Sequence, residues 1–148
     1  MNAGFKNALL QVETEDGRNF DLTSPLVFED TAGNIYRMPV GATTDGGSTP
    51  RGIWSIIPPF GQPFLAFVLH DGAYRNALQK LTSGTWVNGT WEIANLEKVA
   101  CDDLLLQGMR WLGVSTIEID TIIDALAKFG TAAFDADRSG KPIMNTPT

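Results

Sequence analysis

One short stretch of the chain combines three side chains that are suited to acid–base chemistry. It reads His70-Asp71-Gly72-Ala73-Tyr74, it follows an apolar run, and it contains the only histidine of the chain. On a helix, His70 and Tyr74 share a face because they are four residues apart, while Asp71 points about a quarter-turn away. This spacing would place an imidazole, a phenol and a carboxylate around one cleft. The alternative for a lone histidine after an apolar run is a hydrogen-bonded core residue.

A second carboxylate lies on the apolar face of a later predicted helix. Asp102 shares that face with Leu105 and Met109, at spacings of three and seven residues. A carboxylate on an apolar face costs several kcal/mol unless it is paired or hydrogen-bonded, so Asp102 needs a partner inside the protein. We predict that His70, Tyr74 and Asp102 meet in one hydrogen-bonded cluster.

The segment of residues 41–51 is too rich in Gly, Thr and Pro for regular structure and is predicted to be a loop. Its glycines let the backbone turn several carbonyls toward one point, and Asp45 adds a carboxylate at its centre. We predict that this loop packs over the start of the His70 helix with Asp45 or Arg51 directed at the site. The alternative is a turn-rich linker.

These groups suit the hydrolysis of an ester. A histidine acts as general base on water when a buried carboxylate fixes its tautomer, and a tyrosine hydroxyl can orient that carboxylate. An adjacent aspartate with loop carbonyls can hold a cation that polarises the ester carbonyl. Zinc sites are built mainly from Cys and His ligands, and the chain has only one of each. The side chains present therefore favour calcium, which binds oxygen ligands.

The elements that must position these residues predict an α+β fold. An N-terminal antiparallel β meander is followed by three main helices, with a β-hairpin insertion around Asn88-Gly89 between the first two helices. Gly130 is predicted to close the last helix. The strands are predicted at about 8–12, 19–22, 26–28 and 35–38, and the helices at about 62–81, 93–112 and 117–129. Residues 1–134 are predicted to form a single globular domain, and residues 135–148 an extended C-terminal tail.

Composition limits the partners. The chain has 148 residues, of which 43% are hydrophobic and 19% charged, as in a globular protein. Its formal net charge of -6 argues against a nucleic-acid partner, because phosphate binding relies on clustered Lys and Arg. No apolar run approaches the roughly 20 residues that span a bilayer, and the N-terminus lacks the pattern of a secretory signal. We therefore expect no transmembrane segment and synthesis in a cytoplasm.

The His-Asp-x-x-Tyr motif, the later aspartate and the glycine-rich loop together resemble the secreted and viral-capsid phospholipases A2. The resemblance implies that His70 is the catalytic base and that Tyr74 and Asp102 support it. It also implies that Asp71 binds calcium. The loop residues that would complete the calcium site by the same resemblance are Asp45, Gly41 and Gly46.

Over about residues 26–129 the chain is also similar to a family of small uncharacterised proteins of tailed phages and prophages. The shared pattern runs through Pro-x-Gly, Thr-Asp-Gly-x-Ser-x-Pro-Arg with one Gly-Gly variation, His-Asp-x-x-Tyr, and Ala-Asp before an apolar helix that ends in Gly-Val. Cys101 takes the place of the usual alanine. This resemblance implies a phage origin.

Two functions from different classes are compatible with these patterns. The first is a calcium-assisted hydrolase of ester bonds, with a lipid or another ester as substrate. The second is a virion or assembly protein in which the polar cluster is a buried staple and no reaction occurs. Its partners would be phage structural proteins or further copies of itself, and a Trp-rich hairpin suits such docking. In either case we expect synthesis in a bacterial host cytoplasm and incorporation in the virion.

Overall fold

The structure, a computed structural model, describes residues 3–6, 12–13, 20–44 and 64–139. These residues form two antiparallel sheets and three helices, which confirms the predicted α+β class. The strands are β1 (Gly4–Phe5), β2 (Val12–Glu13), β3 (Phe20–Leu22), β4 (Leu26–Glu29), β5 (Ile35–Met38), β6 (Thr43–Thr44), β7 (Gln79–Gly84) and β8 (Gly89–Ile93). The helices are α1 (Phe64–Tyr74), α2 (Lys98–Trp111) and α3 (Thr116–Ser139).

The larger sheet has the strand order β1-β4-β5-β7-β8, and the smaller one has the order β2-β3-β6. The turn between β4 and β5 follows from local chemistry. Asp30 Oδ1 accepts hydrogen bonds from the backbone N–H of Ala32 at 3.0 Å and of Asn34 at 2.8 Å, which is the Asx-type turn that aspartate favours. Gly33 adopts the left-handed conformation there, with φ 92°. The predicted β4–β5 hairpin is confirmed.

The predicted hairpin around Asn88-Gly89 is also confirmed, and the structure adds where it sits. Strand β7 pairs with β5, with Tyr36 opposite Lys80, so the hairpin extends the main sheet instead of standing apart from it. Trp91 of β8 lies under the Arg37 guanidinium of β5, whose carbon is 4.4 Å from the ring centre. This contact covers apolar ring surface at the sheet edge.

Helix α1 ends earlier than predicted. Its last residue is Tyr74, whereas the sequence predicted a helix to about Leu81. Asn76 adopts a left-handed conformation, with φ 58°, and a residue of this kind ends many helices. The backbone N–H of Ala77 then bonds Gly72 O at 2.8 Å, and the chain enters β7.

Helix α3 continues through Gly130 to Ser139, so the predicted end at Phe129 is wrong. The glycine serves packing and not termination, because a Cβ at this position would lie 3.1 Å from Tyr74 Oη and from Lys98 Cε. Residues 135–139, predicted to begin an extended tail, are helical. The rest of that tail, residues 140–148, lies outside the described residues.

The core surrounds α1. Every residue from Ala66 to Tyr74 is buried, as expected for a helix that is apolar all round and is covered on several sides. Helix α1 contacts β5 and β6 as well as α2 and α3. Polar side chains on α1 are therefore enclosed in protein. Among the described residues, no helix is long and apolar enough to cross a bilayer.

The close approach of α1 to the sheet gives a first prediction. A Cβ at Gly72 would collide with Met38 Sδ of β5, so we expect Gly72→Ala to lower the free energy of unfolding by about 1–3 kcal/mol, although alanine favours helices. Urea unfolding of Gly72→Ala, Met38→Ala and the double variant measures this. The double variant should lose less than the sum of the single losses, since removing Met38 makes room for the new methyl group. If the double variant loses as much free energy of unfolding as the two single variants together, within about 0.5 kcal/mol, the contact between Gly72 and Met38 is contradicted.

Candidate functional site

Helix α1 presents His70 and Tyr74 side by side toward α2. The two residues are 2% and 1% exposed, and their ring centres are 4.1 Å apart with the planes tilted by 45°. The helical spacing of four residues accounts for this stacking. Because the apolar run of α1 is enclosed by the sheet and the other helices, both polar side chains require partners within the protein.

Asp102 of α2 is that partner. His70 Nε2 lies 2.9 Å from Asp102 Oδ1, and the Tyr74 hydroxyl donates to the same oxygen at 2.7 Å. The other oxygen, Oδ2, accepts a hydrogen bond from Lys98 Nζ at 2.8 Å. The predicted cluster of His70, Tyr74 and Asp102 is therefore confirmed. The catalytic roles assigned to these residues stay a prediction.

The electrostatics of the cluster favour an ionised Asp102. Burial alone would raise the pKa of Asp102, but hydrogen bonds from His70, Lys98 and Tyr74 outweigh it and hold that pKa below its usual value of 3.8. Burial, followed by the hydrogen bond to Asp102, raises the pKa of Tyr74. At neutral pH the cluster thus contains a carboxylate that accepts and a neutral phenol that donates.

The imidazole of His70 is held in one orientation. Since Asp102 is ionised and can only accept, His70 Nε2 carries the proton of their hydrogen bond. In the neutral ring, Nδ1 then has a lone pair. Among the residues that the structure describes, the ring makes its hydrogen bond through Nε2 alone. The tautomer with a basic Nδ1 is the one that this geometry selects.

Lys98 is a member of the cluster that the sequence analysis missed. It lies one helical turn before Asp102, and its Nζ also donates to Leu126 O of α3 at 3.3 Å. A lysine and an aspartate four residues apart on one helix are a readable signal for an ion pair. The link to α3 depends on tertiary packing, which local spacing does not reveal.

The C-terminal part of α3 also reaches the site. The Phe134 and Tyr74 rings are nearly perpendicular, with centroids 5.2 Å apart, and Arg138 donates to backbone carbonyls at the end of α1. The sequence analysis assigned neither residue to the site because the helix was predicted to stop at Phe129. The amphipathic pattern gave no signal for contacts so far along the chain.

The predicted calcium ligands fall in different places. Asp71 has a fully buried side chain, and its Oδ1 lies 2.9 Å from Arg75 Nε one turn later. Gly41 is in a turn with φ 89°, and its N–H donates to Leu22 O at 2.8 Å. Asp45 and Gly46 lie outside the described residues, as do residues 47–51 of the segment that we predicted to cover the His70 helix. Within the described part of that segment, Thr43–Thr44 form strand β6, so the prediction of a loop is wrong for these two residues.

The described residues do not by themselves fit calcium. A cation at Asp71 would compete with the guanidinium of Arg75 for the same carboxylate oxygen. Within the described ranges, no group of three or more His, Cys, Asp or Glu side chains is placed to hold a metal ion. The calcium site stays a prediction that depends on Asp45 and its neighbours.

A separate cavity of about 410 Å³ opens on another face of α2. Its lining includes Gly4, Phe28 and Thr31, together with Gln107 and Trp111 of the helix. Thr31 N donates to Gln107 Oε1 at 2.9 Å, which ties the β4–β5 turn to α2. None of its lining residues belongs to the Asp102 cluster, so this cavity and the cluster are distinct features.

A comparison with models of protein families found a match. A family model described as "Protein of unknown function (DUF1353)" matches residues 20–123. This stretch covers more than half of the chain and includes His70, Tyr74 and Asp102. The comparison with curated proteins found no match, and the comparison with solved structures found none either.

The lowered pKa of Asp102 predicts a pH-dependent contribution to stability. Since the folded pKa lies below the unfolded value, the contribution is present above about pH 4 and is lost as the pH falls through the folded pKa. We expect Asp102→Asn to reduce the free energy of unfolding at pH 7 by about 2 kcal/mol or more. Urea unfolding across the pH range should show this difference in the free energy of unfolding becoming smaller as the pH falls below about 4.

Asp103→Asn is the matched control for this measurement. Asp103 is the next residue along α2, is exposed, and accepts a hydrogen bond from Gln107 at 2.7 Å. Its replacement should change the free energy of unfolding by no more than about 0.5 kcal/mol. Equal losses for the two variants, or a difference that does not change with pH, would contradict the electrostatic account of Asp102.

The hydrogen bond to Asp102 also predicts the tautomer of His70. Because the chain has a single histidine, its imidazole signals in nitrogen NMR belong to His70 without further assignment. At a pH where the ring is neutral, we expect a protonated Nε2 and an unprotonated Nδ1. In Asp102→Asn the amide can donate as well as accept, so the preference should weaken. A protonated Nδ1 in the wild type would overturn this assignment.

Proposed function

The chain belongs to the DUF1353 family, and we propose from the geometry of its site that it hydrolyses ester bonds with His70 as the general base. One observation carries the proposal. His70 Nε2 and the Tyr74 hydroxyl both contact the same oxygen of Asp102, at 2.9 and 2.7 Å. A carboxylate held in this way fixes the imidazole and stabilises the positive charge that forms when the ring takes a proton.

The proposed reaction uses water as nucleophile. Nδ1 of neutral His70 takes one proton from the water while the water oxygen bonds to the carbonyl carbon of the ester. As the bond from this carbon to the leaving oxygen breaks, the imidazolium gives its proton to that oxygen. The products are a carboxylic acid and an alcohol, and His70 is neutral again. Asp102 remains ionised and Tyr74 remains a neutral donor throughout.

Lys98 and burial suit the site to this task. The Lys98 ammonium, 2.8 Å from Asp102 Oδ2, helps to keep the carboxylate ionised. His70 is only 2% exposed, and the side chains of Asp102 and Lys98 are 19% and 22% exposed, so the cluster is partly shielded from bulk water. Preorganised charges in a poorly hydrated site act more strongly than the same charges in water.

The substrate class rests on resemblance. The His-Asp-x-x-Tyr motif with a later aspartate is similar to that of phospholipases A2, which makes a lipid ester the first candidate. Phage origin and incorporation in the virion belong to the same proposal through the similarity to phage proteins. Calcium belongs to it as well, with Asp45 and Gly46 as the ligands to be tested outside the described residues.

A second candidate function is a phage structural or assembly protein in which the cluster is a staple. The observation that favours it is that one carboxylate joins the helices: Asp102 binds His70 and Tyr74 of α1, and Lys98 also binds α3. Exposed apolar side chains on the β7–β8 hairpin offer a docking surface for other subunits. These are Trp86, Val87 and Ile93, which are 37%, 76% and 46% exposed.

Replacement of His70 by glutamine tests the hydrolase. Glutamine is preferred to asparagine because the hydrogen bond runs through Nε2, and the longer side chain can place an amide nitrogen near that position. We expect His70→Gln to lower hydrolysis by about a hundredfold to ten-thousandfold with the melting temperature nearly unchanged. The measurement is acid release from mixed phospholipid vesicles and from a soluble p-nitrophenyl acyl ester, with added calcium and with a chelator.

His70→Gln, prepared in the same way as the wild type, is also the control for contaminating esterases of the expression host. Such esterases would be equally active in the wild-type and variant preparations. Equal acid release by the wild type and His70→Gln would therefore contradict the proposal. The proposal would also be contradicted if the wild type released no acid either with added calcium or with the chelator. That result would favour the phage structural or assembly protein. Acid release that requires calcium would support the calcium site predicted in the loop of residues 41–51.

A further inference from the structure

The guanidinium of Arg138 closes the C-terminal end of α1. Its Nε donates to Tyr74 O at 2.8 Å, one Nη2 hydrogen bond runs to Ala73 O at 2.9 Å, and Nη2 also donates to Leu96 O before α2. The last carbonyls of a helix lack partners within the helix and favour a nearby cation. Helix α1 has no basic residue in its own last turn. Arg138, which comes from another helix, supplies that charge.

The same segment of α3 contacts the side chain of Tyr74. The Phe134 and Tyr74 rings pack in a T-shaped arrangement with centroids 5.2 Å apart, and the Arg138 guanidinium carbon lies 4.5 Å from the centre of the Phe134 ring. Gly130 leaves the space that the Tyr74 hydroxyl occupies. Residues 130–138 therefore touch the backbone, the ring and the hydroxyl of Tyr74.

Tyr74 in turn supports His70 in two ways. Its ring lies against the imidazole at 4.1 Å, and its hydroxyl shares Asp102 Oδ1 with His70 Nε2. A shift of Tyr74 would remove the ring that packs against the imidazole of His70. It would also remove one of the hydrogen-bond donors that hold the carboxylate of Asp102. The placement of the base is thus linked, through a single side chain, to the end of α3.

We propose that Arg138 is a positioning residue, the anchor of a segment formed by residues 130–138 that holds Tyr74 and thereby sets the hydrogen bond between His70 and Asp102. This role rests on the proposed function, because it concerns the geometry of the same site. The segment lies beyond residues 20–123, which the family model matches. The site of this chain is therefore completed by a part of the sequence outside the family match.

The competing account is that Arg138 only caps α1 and stabilises the fold. Both accounts predict a lower melting temperature when the guanidinium is removed, so stability alone does not separate them. They differ at the His70 Nε2 proton. A positioning residue protects this proton from exchange with solvent, whereas a cap that acts only on stability leaves its exchange in the folded protein unchanged.

The experiment compares Arg138→Met, Arg138→Lys and Lys128→Met with the wild type. Lys128→Met is the matched control, because Lys128 lies on α3 in an exposed pair with Asp124 at 2.9 Å. The readouts are thermal unfolding and the exchange rate of the His70 Nε2 proton by NMR, which reports on the only histidine. We expect exchange about tenfold faster or more in Arg138→Met, an intermediate rate in Arg138→Lys, and the wild-type rate in Lys128→Met.

A folded Arg138→Met with the wild-type exchange rate would overturn the proposal, even if it melts at a lower temperature. If Arg138→Met does not fold, Arg138→Lys decides: faster exchange than in Lys128→Met supports the positioning role, and equal exchange overturns it. The NMR readout does not need turnover, so it stands even if the wild type proves to hydrolyse no ester. If hydrolysis is observed, Arg138→Lys should lower kcat with little change in KM, whereas His70→Gln should lower turnover by about a hundredfold or more.

Discussion

The helix layer of this protein depends on keeping one partly buried carboxylate, that of Asp102, charged between its helices. Taking Asp102 out of water carries a penalty that only several well-placed donors can offset. Three side chains provide them, two from α1 and one from α2 itself. Because the donors must reach both oxygens at hydrogen-bond distance, the separation and rotation of the two helices are restricted. Sliding of α1 against α2 would therefore leave the partly buried charge of Asp102 without some of its hydrogen-bond donors.

Small residues make that short separation attainable. A Cβ at Gly108 of α2 would lie 3.0 Å from the Cβ of Ala66 on α1, and Gly72 and Gly130 serve the same purpose toward the sheet and toward α3. Helix α1 is thus approached closely on three sides. Close-packed interiors transmit small displacements instead of absorbing them. The geometry of His70 is consequently set by the packing around its helix as much as by its direct hydrogen bond.

The sequence was informative where polar residues interrupt apolar patterns. Asp102 on an apolar helix face required a partner, and the histidine and tyrosine one turn apart on the neighbouring helix were the available choices. The fold class followed from turn clusters and from the change of hydrophobic period. Helix ends were less predictable. Asn76 ends α1 through its left-handed backbone, and Gly130 sits inside α3 because of a neighbour 56 positions earlier in the chain, Tyr74. Local patterns do not contain such tertiary contacts.

The interaction partners of charged residues could be predicted from the sequence only in part. Lys98 and Asp102 are four residues apart, as are Asp71 and Arg75, and this spacing is typical of ion pairs on a helix. Arg138 left no comparable signal, since its acceptors are backbone carbonyls far away in the chain. The roles of Asp45 and Gly46 remain predictions, because these residues fall outside the described part of the chain.

The bond from Arg138 to Tyr74 joins residues 64 positions apart, and this distance bears on the order in which the molecule is assembled. Contacts between distant positions form late, since the intervening chain must first be organised. The β4–β5 hairpin and the start of α2 can form from neighbouring residues during synthesis, before the end of α3 exists. The contacts that Arg138 makes with the end of α1 therefore require that the chain has been synthesised through to the end of α3. A chain that stops before this point has the residues that bind Asp102 but lacks the guanidinium that holds the backbone of Tyr74.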